Sequence, residues 1–464
     1  MLAVQAAGVA AATLTHVFLH GDGSQFVYDI CVDMPWRLRW VDLVDRVTIY
    51  ITTAAPTQWA TQTFHLSPMA VADLNGFVFF SAPVILFAIA CGLVWRSQPR
   101  YLIFPVVQYA FSSSLGFGFP SEIALAPGFL WIALFLILQN RILHVGTFAC
   151  LLGLIFTHEL SIAPAVLVLA IAVVQQRRND RTAGAGGRLA ILLAGGLAAF
   201  APFVFARLNG GGVATDANAI LVFRPDLVLV NPTLWLGLAG AGAAFALALG
   251  RPSWFSGRAG WVAAVAVGVA LPLALYAIDP AINFQRGRYE SRTIVAVDMV
   301  LLVLAFAAVL FRARIADLAP ASWAVALAPA LAVALAVSVG GACAFLIDWS
   351  IALGGIERVV LGKPATPGPL LVSYPEALRL MRPDEARAND RMEFQWVLPY
   401  QSVVLADGAA PAHIIFTGYR RYWTYCQLSG SISQARSNIP AAALAEMRQF
   451  TCRQSQNIPP IPDG

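Results

Sequence analysis

The sequence predicts an all-α polytopic membrane bundle of about 11 transmembrane helices, with a small C-terminal α+β domain outside the membrane. Of its 464 residues, 59% are hydrophobic and only 12% are charged, where a soluble domain carries about a quarter charged residues. Apolar stretches long enough to cross a bilayer recur through residues 1–347. The chain is therefore expected to be a multi-pass membrane protein.

The predicted spans follow from these apolar stretches and are separated by polar loops. They cover residues 2–20, 76–95, 101–117, 123–139, 143–157, 160–175, 188–207, 231–249, 259–278, 293–311 and 322–347. The stretch FTHEL at 156–160 is the only break between the fifth and sixth spans. A single helix there would place His158 and Glu159 in mid-bilayer, at a cost of several kcal/mol. We therefore predict a tight helical hairpin, with this pair facing the outside or a cavity open to it.

Arginine-containing loops alternate with longer loops along this series. Arginine occurs in 96–100, 140–142, 176–188, 250–258 and 312–321. Short loops enriched in Lys and Arg mark the cytoplasmic side, so we expect the N-terminus inside and the C-terminal segment outside. The first residues, MLAVQAAGVAAATLTHVFLH, lack a positive n-region and a small-residue cleavage site, which favours a retained first helix. These arginines lie in short loops between spans and do not form a long basic run, so no nucleic-acid partner is expected.

Two domains are predicted. Residues 1–347 form the transmembrane domain, with a long first external loop at 21–75, and residues 348–464 form an extracytoplasmic domain. Strand-like apolar patches in the second domain are LLVSYPEAL, EFQWVLPYQSVVLAD and AHIIFTGYRRYWTYC, and 377–392 suits a short helix. Cys426 and Cys452 lie on the side where disulfides persist. A bridge between them is one interpretation, and two isolated thiols are the other.

Ionisable side chains gather in the loops predicted to face outside. Asp22 and Asp29 directly follow the first span, and residues 34–50 suit an amphipathic helix along the interface. Further members of the set are Glu122, His158, Glu159, Arg286, Arg288, Glu290 and Arg292. Each also has a structural interpretation. The aspartates could be hydrated loop residues, Glu122 a helix-start acid, the His–Glu pair a hairpin cap, and the arginines partners of Glu290 and lipid headgroups.

Asp298 lies inside the tenth predicted span. Charged residues within spans mark functional sites more often than not. A structural pairing with Arg292 is the alternative interpretation.

These residue types suit one kind of chemistry. Arginines near the interface hold phosphate through paired N–H bonds. A nearby carboxylate takes the proton of an attacking hydroxyl, which contributes about 10²–10⁴-fold. A His beside a Glu holds a charge or a divalent metal ion. The set therefore favours transfer of a group from a lipid-linked phosphate donor to an acceptor outside the membrane.

The layout resembles the GT-C superfamily of integral-membrane glycosyltransferases, which use polyprenyl-phosphate sugars. The resemblance is carried by about eleven spans with the N-terminus inside, by HGDGSQFVYD opening a long first external loop with an apparent interfacial helix, and by the external C-terminal domain. The segment FGFPSEIALAPGFLWIALFLIL also resembles the helix pair after the second cytoplasmic turn of many bacterial members.

The resemblance implies an inverting glycosyltransferase in the bacterial inner membrane, with a periplasmic C-terminal domain, a lipid-linked sugar donor and a cell-envelope acceptor. Asp29 or Asp22 would be the catalytic base; no DE or DxD pair follows the first span, so the choice stays open. Arg286, Arg288 and Arg292 would bind the donor phosphate. Glu122, His158, Glu159 and Glu290 would line the cavity.

Two other functions remain open from the residues. A non-enzymatic subunit or scaffold of an envelope assembly would use the outer domain to dock envelope proteins. A transporter or flippase would need midplane charges and repeats, whereas here the polar residues gather at one face. Neither a Walker A loop nor a GxSxG or HExxH motif occurs in the chain.

Overall fold

A computed structural model of the chain describes residues 1–31, 47–118, 120–179, 188, 190–198, 201, 225–229, 231–280, 282, 288–311, 321–362, 370–392, 397–408 and 412–416. The structure is mostly helical (86%) with little sheet, which confirms the predicted helical class.

The longer helices are numbered in chain order. They are α1 (Leu2–Leu14), α2 (Asp22–Cys31), α3 (Ala55–Phe64), α4 (Pro68–Val94), α5 (Ile103–Gly118), α6 (Ala126–Leu138), α7 (Val145–Ile155), α8 (Ile162–Asn179), α9 (Pro232–Gly250), α10 (Arg258–Ile278), α11 (Arg288–Phe311), α12 (Ala321–Val360), α13 (Tyr374–Leu380), α14 (Pro383–Arg391) and α15 (Leu398–Leu405). Short helical segments lie at Val17–Leu19, Val47–Ile49, Tyr50–Ala54, Pro99–Leu102, Glu122–Leu125, Glu159–Ser161, Pro225–Leu229 and Pro252–Phe255. Strands β1 (Leu370–Ser373) and β2 (His413–Phe416) pair in parallel, with Leu370 opposite His413.

Six helical segments of the described chain are long and apolar enough to cross a membrane. They are Pro68–Val94, Glu159–Asn179, Pro232–Gly250, Arg258–Ile278, Ser291–Phe311 and Val325–Val360. Apolar but shorter helices are Leu2–Leu14, Glu122–Leu138 and Val145–Ile155. Each of these segments overlaps a predicted span, and the total of eleven spans stays a prediction.

The chain divides into two compact units. The first contains Met1–Val9, Arg39–Tyr50 and Phe80–Phe345, and the second contains Ala10–Leu38, Ile51–Phe79 and Leu346–Gly464.

Helix α6 forms the centre of the first unit. It is apolar on every side, and all of its residues except Phe129 are buried; a helix of this composition is stable only inside protein or lipid. The ring of Trp131 lies 6.0 Å from that of Phe104 on α5 and 6.1 Å from that of Phe306 on α11, measured between centroids. The Trp131 indole N–H donates to Gln108, so its polar atom is satisfied within this apolar core.

Small residues let α10 and α12 approach closely in the same unit. A Cβ added at Gly340 would lie 2.5 Å from the carbonyl oxygen of Val269, and one added at Gly268 would lie 2.7 Å from the Cβ of Ala336. Close contact through small residues is the usual way in which membrane helices associate. The Ala- and Gly-rich composition of the predicted spans in this region therefore has a packing role.

Helix α12 continues beyond the predicted end of its span at residue 347. Trp349, Ala352, Ile356 and Val359 are buried and recur at three- and four-residue intervals, so one apolar face extends to Val360. The proposed domain boundary at 347/348 therefore falls inside a continuous helix.

The last part of the second unit differs from the strand pattern predicted for it. LLVS and HIIF form the two strands, but LPYQSVVL forms helix α15. Pro399 stands at the start of α15, where its fixed φ favours a helix. The predicted short helix at 377–392 is two helices, α13 and α14, and the fold of the remaining C-terminal residues stays a prediction.

Candidate functional site

The first-loop acids lie on a helix of the second unit. Asp22 stands in the first turn of α2, where a negative charge is favourable, and Asp29 follows seven residues later on the same face. Both are buried, with 8% and 3% of their surface exposed. The interpretation of these acids as hydrated loop residues is therefore wrong for the folded chain.

A tight turn precedes α2 and depends on glycine. Gly21 has φ 62°, which favours a residue without a side chain. A Cβ at Gly23 would lie 1.7 Å from the carbonyl oxygen of Phe18. The HGDGS sequence thus folds back on Val17–Leu19 before the helix begins, which brings Asp22 into the protein.

Helix α15 packs against α2 in the second unit. The rings of Tyr28 and Tyr400 lie 5.2 Å apart between centroids. The side-chain N–H of Gln401 donates to the carbonyl oxygen of Leu19 at 2.6 Å, and the Ser24 hydroxyl donates to the same oxygen. Residues near the C-terminal end of the described chain therefore fix the turn that leads into Asp22.

The carboxylate of Asp407 lies close enough to the end of α2 to affect the Cys31 thiol. Burial raises the pKa of the Cys31 thiol to about 12, and the carboxylates of Asp407 and Asp29 add to this increase. Asp407 also accepts from the backbone N–H of Met69 at 2.9 Å. The end of α2 therefore lies in an acidic environment that includes a residue far along the chain.

Glu122 and Arg292 form a buried ion pair in the first unit. Arg292 Nη2 lies 2.7 Å from Glu122 Oε2, with both side chains at most 2% exposed. Arg292 Nε also donates to the Ser121 hydroxyl at 3.1 Å. The pair joins the turn before α6 to the first turns of α11, because Glu122 opens the 3₁₀ segment ahead of α6. Arg292 therefore binds a protein carboxylate, although the sequence indicated a role on the donor phosphate.

The predicted break at FTHEL is present. Helix α7 ends at Ile155, and a new helical segment begins at Glu159. His158 caps it, since its Nδ1 accepts from the backbone N–H of Leu160 at 3.2 Å, and Nδ1 lies 3.5 Å from Glu159 Oε2. His158 is fully buried and the Glu159 side chain is 6% exposed, so the pair lies within the protein and not on an open surface.

Residues before α3 support this hairpin in the first unit. The Thr48 hydroxyl donates to the carbonyl oxygen of Gly153, and the Thr48 backbone N–H donates to that of Phe156, each at 3.1 Å. The capping interpretation of the His–Glu pair therefore has direct support.

Arg286, Cys426 and Cys452 lie outside the described residues, as does most of the predicted interfacial helix at 34–50. Arg288 and Glu290 belong to the first turn of α11, and only their backbone is described. The described acids divide between the units: Asp22 and Asp29 belong to the second, and Glu122 and Glu159 to the first.

A structural pairing with Arg292, the alternative interpretation of Asp298, is not formed, because Arg292 binds Glu122. The Oδ2 of Asp298 is buried and has no hydrogen-bond partner within the part of the chain that the structure describes. In that same part, no group of three or more His, Cys, Asp or Glu residues is arranged to hold a metal ion. The described residues therefore offer no ligand set for a divalent metal ion.

Other polar residues near α2 were missed from the sequence. His20 meets the ring of Trp349 edge-on at 5.1 Å, and the Trp349 indole N–H donates to the carbonyl oxygen of Thr15 at 2.9 Å. His16 lies 2.7 Å from Asp73. The first predicted span, 2–20, included both His16 and His20. An imidazole at each end of the apolar triplet Val17–Leu19 is a signal that the span ends earlier.

Comparisons with protein-family models, with curated proteins and with solved structures each gave no match to this chain.

Proposed function

We propose that the protein is an inverting glycosyltransferase that moves a sugar from a polyprenyl-phosphate donor to a cell-envelope acceptor. The observation that carries the proposal is the burial of Asp22 and Asp29 on one face of α2, close after the first apolar helix. Acidic residues are seldom fully buried without a functional or pairing reason, and buried carboxylates cluster at functional sites. The resemblance described above assigns the catalytic base to this part of the chain.

The proposed reaction is a single displacement at the anomeric carbon. The acceptor hydroxyl loses its proton to a base, and its oxygen forms the new C–O bond. The bond between the anomeric carbon and the phosphate oxygen breaks, and the polyprenyl phosphate leaves. Asp29 and Asp22 are the candidates for the base in this proposal.

The arginines divide into two roles. Arg286 and Arg288 bind the donor phosphate in the proposal. Arg292 lies one helical turn after Arg288 on α11, and its bond to Glu122 anchors that part of the helix. Arg292 is thus a positioning residue, and Glu122 is its partner, while His158 and Glu159 hold the neighbouring hairpin.

The proposed location is the bacterial inner membrane, with the N-terminus in the cytoplasm and the C-terminal residues in the periplasm. The alternation of arginine-containing loops supports this orientation. The donor would then be used at the outer face of the membrane.

The test uses the full chain in detergent micelles. Binding of undecaprenyl phosphate is measured first, and then its release from a panel of undecaprenyl-phosphate sugars incubated with envelope extract as the acceptor source. A base at Asp29 or Asp22 predicts that the Asn variant of that residue lowers the release rate by about 10²–10⁴-fold while binding is kept. Asp390→Asn is the matched control, because Asp390 is an exposed acid on α14 of the same unit.

The outcomes separate the alternatives. A wild-type chain that neither binds undecaprenyl phosphate nor releases it from any donor contradicts the proposal and leaves the scaffold as the better explanation. Full activity in both aspartate variants would exclude these residues as the base.

A transporter or flippase is the second candidate, and Asp298 is the observation that favours it. An acid with a buried carboxylate oxygen inside a helix long enough to cross the membrane is typical of ion or proton pathways. The test is flipping of a fluorescent polyprenyl phosphate in proteoliposomes, with Asp298→Asn beside the wild type. Transport that is lost in Asp298→Asn would support this candidate, and no transport by the wild type would exclude it.

A further inference from the structure

The second unit contains a paired histidine and aspartate outside the acids discussed so far. His16 Nδ1 donates to Asp73 Oδ1 at 2.7 Å, and the two residues lie 57 positions apart in the sequence. His16 follows α1, and Asp73 lies in the second turn of α4. Because Nδ1 carries the proton of this bond, Nε2 of the neutral ring is a lone-pair acceptor.

The side chains of this pair are more exposed than those of the first-loop acids. The side chains of His16 and Asp73 are 32% and 47% exposed. Asp22 and Asp29, in contrast, are 8% and 3% exposed. The imidazole is therefore less enclosed by protein atoms than either of these carboxylates.

His16 adopts a left-handed backbone conformation with φ 50°. Gly or Asn usually occupies this conformation at the end of a helix, and another residue is strained there. His65, at the end of α3 in the same unit, has φ 52° and is exposed. No side-chain bond of His65 occurs within the described residues, so the backbone alone does not mark a site. The carboxylate of Asp73 is what distinguishes His16.

We propose that His16, oriented by Asp73, is the group that takes the proton from the acceptor hydroxyl. The proposal rests on the proposed glycosyltransferase function and places its base at His16 instead of Asp29 or Asp22, so Asp29→Asn and Asp22→Asn should keep most of the wild-type rate. The acceptor O–H bond breaks, its proton goes to His16 Nε2, and the electron pair left on oxygen forms the bond to the anomeric carbon. The departing phosphate carries away the electrons of the broken C–O bond. Asp73 holds the ring in the required tautomer and stabilises the imidazolium, so it is a positioning residue.

The experiment measures the steady-state release of undecaprenyl phosphate from a donor that the wild-type chain cleaves. His16→Ala should lower kcat by about 10²–10⁴-fold with little change in the KM for the donor. Added imidazole should restore part of the lost rate, because it can fill the vacated space and accept the proton. Asp73→Asn should also lower kcat, and His65→Ala, the matched control, should keep the wild-type rate.

The readout separates a base from a structural residue. A rate of His16→Ala equal to that of the wild type overturns the proposal, while the glycosyltransferase function stands. A low rate that imidazole does not restore, in protein of unchanged thermal midpoint, also overturns it, and His16→Gln checks that the loss does not come from side-chain volume. A wild-type chain that cleaves no donor contradicts the proposed function, and the assignment of His16 falls with it.

Discussion

Replacement of Glu385 by Gln should loosen helix α14 in a pH-dependent way. The Glu385 carboxylate is 2% exposed and lies between two guanidinium groups of the second unit. Arg358 Nη2 donates to its Oε1 at 2.9 Å, and Arg382 donates through its side-chain Nε at 2.8 Å and its backbone N–H at 2.9 Å. The bonds from Arg358, followed by those from Arg382, lower the pKa of Glu385 to about 2 from an ordinary 4.5.

The sign and size of the effect follow from this shift. A carboxyl whose pKa is lower in the folded state stabilises the fold above its unfolded pKa, and the stabilisation is lost as the pH falls toward 2. The full shift corresponds to about 3 kcal/mol. Arg358 and Arg382 are 47% and 63% exposed, so solvent screens the pairs. We therefore expect about 1–2 kcal/mol at neutral pH.

The assay is hydrogen exchange of the amides of α14 in the full chain, for the wild type and Glu385→Gln, between about pH 7 and pH 3. The difference in opening free energy should be largest near neutral pH and shrink toward the acidic end. Glu376→Gln on α13 is the matched control, since Glu376 is exposed, and it should match the wild type throughout. A difference that does not change with pH would refute the reasoning, because it would show that the charge of Glu385 is not what holds the helix.

The remaining predictions concern both units. Gly340→Leu should lower the thermal midpoint by the equivalent of about 1–3 kcal/mol, because a side chain there meets the backbone of α10. Gly242→Leu is the control and should leave the midpoint unchanged, because Gly242 has open space around it. Arg292→Met should destabilise the chain by about 3–5 kcal/mol, because it removes the buried cation beside Glu122. The measurement is a denaturant titration, and a midpoint equal to that of the wild type would show that the pair is not formed. Cys31 should resist maleimide at about pH 8 until the protein is denatured, because its pKa is raised to about 12; peptide mapping that finds Cys31 labelled in the folded chain would contradict its burial.

The positions of the long apolar helices followed from the sequence, because hydropathy is a property of each segment by itself. The break at FTHEL is an example. An adjacent His and Glu inside a largely apolar run, 143–175, are costly enough to demand a turn, and α7 and α8 separate there. The end of helix α12 was placed too early, because charged residues become frequent after residue 347. The first of them, Asp348, is instead buried and bonded through both oxygens to Arg391.

The candidate site followed less well, because a side chain's role depends on partners that the sequence does not specify. Arg292 was grouped with the other arginines of its loop, yet a carboxylate 170 positions away binds it. Asp73 was assigned to a loop and His16 to a span, and the structure pairs them. Neither pairing leaves a local pattern in the chain.

The sequence by itself determined that this protein is mostly helical and where its long apolar helices lie, because transfer from water to lipid depends on composition over about twenty residues. Only the tertiary structure decided that the first-loop acids are buried on α2 and that His16 meets Asp73. Those outcomes depend on the rotation and depth of each helix after packing, and a shift of a single residue along a helix turns its side chains by about 100°.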